Sequence, residues 1–501
     1  MFAFRNINRG IATVLLSVLA GMSFVSVLFI DLIPTPFGGY AEQRFFLVFV
    51  LGLLVLIAVV QCADQADILL FSSRIVAPTA FLCVGFIVVA FIYRAHSYVW
   101  VEPGMFALFF LAPFITGYWV SQKGFDNTFA AALAFICVAL CGLYALASVN
   151  IYLFALSDGF YAYSEIITWG FVNIRYWSHI ATWCLPLMPL AVLVGPFRHN
   201  RMLRFWVILT MGLWWWILFL TMSRGSLLSI SFGVVLSVLL LGRRTLPWLR
   251  VMLLSLALGL LFWLVLSVLV PFFLAEDVQL RGVSLGGSGR WPLFAEAWAM
   301  SVEQFPFGMG PQSWLTHEPL TEAYSMVGRL GHPHNMYLLW AAEYGWIVVC
   351  LLVVVICQAI IYFFRKRDEL KLTGSSEKLL ILSAFCASVA GAMFHAGASA
   401  VFLAPGSMLV GLFVLAAFWS LVIPKVCLGA CVAPRHIVGG TNRRLLLGLL
   451  AIGVLMAWLF WVGETLEYFR DMLADLEIYS DVDKRPILPR FWFHGYFPRD
   501  S

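Results

Sequence analysis

Long apolar runs, separated by short polar punctuation, fill most of this chain. They lie near residues 11–30, 45–61, 75–93, 104–120, 128–148, 179–197, 205–222, 225–241, 250–274, 335–364, 379–402, 405–423 and 445–463. A helix needs about 20 apolar residues to cross a bilayer, and these runs are of that order. Hydrophobic residues follow one another within them, without the alternation that marks barrel strands. The pattern therefore predicts an all-α polytopic integral membrane protein with about 12–13 transmembrane helices. The first run follows Arg5 and Arg9 and has no small-residue cleavage pattern, so it reads as an uncleaved anchor.

Composition agrees with the pattern: 62% of the 501 residues are hydrophobic and only 11% are charged. Charge placement then sets an orientation. With the N-terminus cytoplasmic, the clusters Arg198/Arg201/Arg204, Arg243/Arg244/Arg250 and Arg365/Lys366/Arg367 fall inside, whereas the short outside loops hold only Arg44, Arg94, Arg175 and Arg224. The net charge of +5 thus reflects membrane orientation and gives no reason to expect nucleic-acid binding. The ten cysteines sit in spans or inside loops, so neither a disulfide framework nor a zinc site is expected.

The chain divides into N-terminal spans over 1–204, a segment 205–364 that includes a long outside loop at 275–334, further spans over 365–463, and an outside tail at 464–501. Leu466, Phe469, Leu473 and Leu476 form an apolar stripe, so the tail is expected to hold an interfacial helix. The aromatic loop 149–178 reads either as an aromatic belt at headgroup level or as a re-entrant or sugar-facing surface. No dinucleotide fingerprint or P-loop appears, and Gly282–Gly289 reads as a flexible loop because no strand precedes it.

Candidate chemistry concentrates in 205–364. Gly328-Arg329-Leu330-Gly331-His332-Pro333-His334-Asn335 leads directly into an apolar run. Pro333 biases its predecessor away from helix, and Asn335 is a good N-cap. Two histidines and an arginine would then sit at a helix N-terminus, whose free N–H groups and partial positive charge suit a phosphate. The plainer reading makes them interfacial loop residues. Thr221-Met222-Ser223-Arg224-Gly225-Ser226 lies between two spans so closely spaced that Arg224 must sit at the membrane–water interface. It either snorkels there or faces a phosphate through its planar fork.

A third signal follows in the outside loop. Arg281 and Arg290 flank the Gly-rich stretch, and Trp291-Pro292 opens a run with Leu293, Phe294, Ala297, Trp298, Val302 and Phe305 near helical spacing. An amphipathic helix on the membrane is expected, ended by Pro306 and the turn Phe307-Gly308-Met309-Gly310-Pro311. Glu343 would lie about 12 Å below Asn335 at 1.5 Å per residue. It is either a functional intramembrane acid or a helix-pinning hydrogen-bond acceptor. His395 reads as structural.

Together, Ser-Arg-Gly at 223–225, the Arg-Trp helix ending in Pro-Phe-Gly-Met-Gly at 290–310, and His-Asn followed by Glu-Tyr-Gly at 334–345 resemble the O-antigen ligase and polymerase family. That family also includes bacterial protein O-oligosaccharyltransferases, and the resemblance covers roughly 205–364. It implies a GT-C-like helical glycosyltransferase in the bacterial inner membrane. Such an enzyme moves a glycan from an undecaprenyl diphosphate carrier to an acceptor hydroxyl at the periplasmic face, without metal, nucleotide sugar or other cofactor. Carried over by position, Arg224 and Arg290 match the arginines that engage the donor diphosphate, and His334 matches the histidine that activates the acceptor. Arg281 and Arg329 have no firm counterpart in the family but could add to a positive funnel, and His332, Asn335 and Glu343 would be supporting residues. Direct displacement would invert the anomeric centre.

The acceptor stays open among lipid A-core, which is favoured, a growing glycan and a protein. A transporter of lipid-linked sugars would instead need charge strung through the mid-membrane and broken helices. A non-catalytic scaffold is a third reading.

Overall fold

The computed structural model describes residues 2–34, 39–64, 73–94, 98–159, 166–198, 200–273, 289–327, 330–425 and 440–480. Among these residues the regular structure is entirely helical, and the chain is a polytopic membrane protein. The principal helices are α1 (Phe2–Leu28), α2 (Gly39–Asp64), α3 (Ser73–Ile92), α4 (Val101–Lys123), α5 (Asp126–Ser157), α6 (Ile174–Cys184), α7 (Arg201–Leu220), α8 (Arg224–Leu241), α9 (Leu246–Leu264), α10 (Trp291–Glu303), α11 (Met336–Thr373), α12 (Ser376–Ala396), α13 (Pro405–Val422) and α14 (Gly440–Ser480). Their ends follow local chemistry. Gly124, at φ +75°, closes α4 by donating its N–H to Val120 at 3.0 Å, and the Asn200 side chain caps α7 through the Leu203 N–H at 3.0 Å.

Among the described residues, 11 stretches are long and apolar enough to cross a membrane, fewer than the sequence pattern predicts. One broken span and one pair of spans that run on without a gap account for the difference. The expected span 179–197 is not one helix: α6 stops at Cys184, and the backbone then turns through Pro186 and Pro189. Proline removes the amide a continuing helix would need. The freed Pro186 carbonyl accepts the Trp248 indole N–H at 2.8 Å. The expected spans 225–241 and 250–274 are present as α8 and as α9 with its continuation to Phe273, joined without a gap into Arg224–Phe273 by the 3-10 turn at Gly242–Thr245. The last span also differs, because α14 runs unbroken through Ser480 and continues where a separate tail helix was expected. The tail beyond residue 480 lies outside the described residues.

The helices group into two units. The first comprises 1–46, 125–287 and 364–421. Within it α8 lies against α12 along a stripe of small residues, Gly225, Ser229 and Gly233 facing His395, Gly391 and Ala387. A Cβ on Gly233 would overlap the Ala387 carbonyl oxygen. Small residues allow such close backbone approach, which favours helix association where no hydrophobic drive exists. The aromatic loop folds back on α5: the rings of Tyr144 and Trp169 stack at 5.1 Å, and the Trp169 indole donates to Ser148 Oγ at 3.2 Å.

The second unit comprises 47–124, 288–363 and 422–501. Here α3 packs on α4, and α14 is tied to its neighbours by indole hydrogen bonds, Trp461 to the Val101 carbonyl at 2.9 Å and Trp458 to the Val48 carbonyl at 3.1 Å. The segment 288–363 carries α10 and most of α11.

Candidate functional site

The approach to α11 is built around two histidines. His334 takes left-handed backbone geometry, φ +59°, uncommon for a residue with a side chain. Its amide donates to Nδ1 of His332 at 3.0 Å, and the two rings stand nearly perpendicular with centroids 4.4 Å apart. Nδ1 of His332 is therefore an acceptor, which places that ring's proton on Nε2 in the neutral form. Asn335 caps the helix, its Oδ1 accepting from the amides of Tyr337 at 3.0 Å and Leu338 at 3.1 Å. Both histidines are buried, and His334 directly precedes the Asn335 cap of α11.

Nine residues into α11 the helix breaks at Gly345, φ +78° and ψ 172°. The sequence reading treated 335–364 as one uninterrupted span, and the break corrects it. Carbonyls of the preceding turn lose their helical donors at such a break. The amide of Met309 reaches the Ala342 carbonyl at 2.8 Å, and that of Gly310 reaches the Glu343 carbonyl at 3.0 Å. The Pro-Phe-Gly-Met-Gly turn thus docks into the break. Contact is close enough that a Cβ on Gly345 would overlap the Pro306 carbonyl, and one on Gly308 would lie 2.6 Å from the Gly345 amide nitrogen. Two stretches singled out separately in the sequence are one interlocked element. Glu343 is fully buried, and its Oε1 accepts the Trp314 amide at 3.1 Å, which is a helix-pinning hydrogen bond.

Arg290 occupies the N-cap position of α10, half-buried. The helix itself is amphipathic in a different sense from the one expected. Leu293, Ala297 and Met300 face inward, while Trp291, Trp298, Val302 and Phe305 are exposed. Glu296 lies on the inward face, fully buried, and accepts from His317 Nε2 at 2.8 Å, the Leu320 amide at 2.6 Å, and the Thr321 amide and hydroxyl at 2.8 and 2.5 Å. Burial pushes the Glu296 carboxyl up, but the Thr321, Leu320 and His317 hydrogen bonds outweigh it and hold the group below the ordinary glutamate range. Sequence reasoning missed Glu296 and His317. The available signal was a glutamate at helical spacing among Leu293, Ala297 and Met300.

Arg224 lies in the first unit, at the first residue of α8, and is exposed. The turn before it is tight: Met222 has φ +50°, the Arg224 amide donates to the Met222 carbonyl at 2.8 Å, and the Thr221 and Ser223 hydroxyls are 2.9 Å apart. Behind it, a Cβ on Gly225 would lie 3.1 Å from Nε2 of His395. His395 Nδ1 is 3.1 Å from Thr182 Oγ1, and its ring lies 4.9 Å from that of His179. His395 therefore packs under the Arg224 turn. Arg281 and Arg329 lie outside the described residues.

Residues 207–353 match the family model for O-antigen ligase. No curated protein matches the chain. The matched region begins in α7, takes in α8, α9 and α10, and ends in α11. It contains Arg224, Arg290, His332, His334, Asn335 and Glu343, together with the interlocked turn at 306–310. His395 and the rest of α12 fall beyond it.

Proposed function

We propose that this membrane glycosyltransferase transfers a glycan from an undecaprenyl diphosphate carrier to an acceptor hydroxyl, with lipid A-core as the favoured acceptor. The observation that carries the reading is the O-antigen ligase match over 207–353, with every described candidate residue inside it. In this reading the acceptor oxygen attacks the anomeric carbon as the carbon–oxygen bond to the diphosphate breaks, and configuration inverts. His334 takes the hydroxyl proton, and undecaprenyl diphosphate leaves. His334 is buried beside the Asn335-capped terminus of α11, where an imidazole nitrogen can accept the proton. Negative charge grows on the leaving diphosphate, and Arg224 and Arg290 offer guanidinium forks suited to phosphate oxygens. Lipid-linked donor and membrane lipids are the partners, at the periplasmic side of the inner membrane with the N-terminus cytoplasmic.

The test is reconstitution in vesicles with an undecaprenyl-diphosphate-linked oligosaccharide and lipid A-core. Glycosylated lipid A-core is expected. Extension of the carrier-linked chain, or transfer to a serine-containing protein, would keep the chemistry and change the acceptor. Movement of the intact carrier-linked glycan across the bilayer with no transfer would make the protein a transporter.

A further inference from the structure

Trp314 ties down both flanks of His334. Its indole N–H donates to the Leu330 carbonyl at 2.7 Å, four residues before His334, and its amide donates to Glu343 Oε1 at 3.1 Å, nine residues after it. Trp314 is itself almost fully buried, against the rings of His317 at 5.6 Å and Tyr324 at 5.2 Å. What seats this stretch is Glu296. A buried carboxylate is costly unless its lone pairs are satisfied, and here four donors from 317–321 converge on one side chain. His317 extends the clamp, its Nδ1 lying 3.1 Å from the Ser313 carbonyl next to Trp314. The carboxylate thus folds 313–321 into one conformation, and that conformation aims Trp314.

We infer that Glu296 is a positioning residue, which holds His334 in its working geometry through Trp314. The inference rests on the transferase reading for its effect on rate, but the clamp can be read independently. Glu296 also shares α10 with Arg290, so one short helix would orient the donor arginine at its end and the histidine segment from its inward face. Small misplacements of a reacting group cost large factors in rate even when the change is remote from the chemistry.

The experiment combines transfer kinetics with hydrogen exchange on the full-length protein in detergent. Glu296→Gln keeps the shape but turns an amide N–H₂ toward the donors. It should lower kcat by roughly ten- to a hundredfold, leave the donor KM within about twofold, and speed exchange at 313–321 and 330–335 with no change in α12. Glu296→Asp should restore part of the protection. Trp314→Phe keeps the ring packing, removes only the indole donor, and should speed exchange at 330–335 alone. Wild-type exchange at 330–335 in both variants would overturn the inference, as would full kcat in Glu296→Gln. If Glu296→Gln does not fold, Trp314→Phe decides by the same exchange reading. Wild-type protein without transfer activity would count against the proposed function and leave the exchange comparison intact.

Discussion

The His334 amide donates to Nδ1 of His332 across Pro333, at 3.0 Å. This closes a turn of the kind Asn and Asp side chains make with the backbone two residues on, and it holds His334 at its positive φ. The two imidazoles therefore have unequal tasks. His332→Ala should lose part of the transfer rate, because the turn loses its acceptor but no reacting group. His332→Asn can supply that acceptor and should recover most of the rate. Equal, complete loss in both variants would show that the His332 ring does more than accept this hydrogen bond.

Gly345 makes its tightest approach in the interlocked turn to the Pro306 carbonyl. Gly345→Ala places a side chain at φ +78° and against the Pro306 carbonyl. With ψ at 172° this backbone lies in an essentially glycine-only region that costs a side-chain-bearing residue about 1–3 kcal/mol, and the overlap adds to it. Gly374 has φ +70° with nothing within 4 Å of a Cβ, so Gly374→Ala should carry only the conformational cost. Thermal unfolding in detergent should show a clearly larger loss for Gly345→Ala. Equal shifts would mean that the turn does not lock the break.

Acid should release the Glu296 clamp late. Its folded-state carboxyl lies below the ordinary glutamate value of about 4.3. A depressed carboxylate contributes stability that is fully present above the unfolded value and is lost as pH falls through the folded value. Protection of 313–321 against hydrogen exchange, corrected for intrinsic rates, should therefore persist through the ordinary glutamate range and fall only below it. In Glu296→Gln the same segment should show no such acid transition. A wild-type transition above pH 4.3 would contradict the assignment.

Much of this site is legible in the residues themselves. Asn335 ahead of an apolar run is a cap by its side-chain chemistry, and Pro292 after Trp291 marks the start of α10. The break at Gly345 is less so, because a glycine inside an apolar run gives no sign of φ until the docking turn is known. The same holds for Glu296, whose partners His317, Leu320 and Thr321 lie about two dozen residues away and meet it only when the loop folds. Pro186 and Pro189 lie inside the expected span 179–197, where the continuous apolar pattern hides the break they make. In the structure the broken backbone is satisfied by Trp248, a partner no local pattern reveals.

Arg224→Lys should separate a phosphate-binding fork from a snorkelling charge. Lysine keeps the charge but cannot bind two phosphate oxygens in a plane. A hydrogen bond to a charged group is worth about 1.5–3 kcal/mol, so transfer should fall by roughly tenfold or more at normal protein abundance. Unchanged transfer in Arg224→Ala would leave Arg224 as an interfacial anchor and shift the donor site toward Arg290.

The account turns on His334 as the group that accepts the acceptor's proton. The most direct measurement compares wild type with His334→Ala in vesicles, scoring glycan transfer and retention of the undecaprenyl-diphosphate-linked donor on the same preparations. General-base assistance is worth about 10²–10⁴-fold, so turnover should fall by that factor while donor retention stays within a few-fold of wild type. Near-normal turnover in His334→Ala would remove the base from this mechanism.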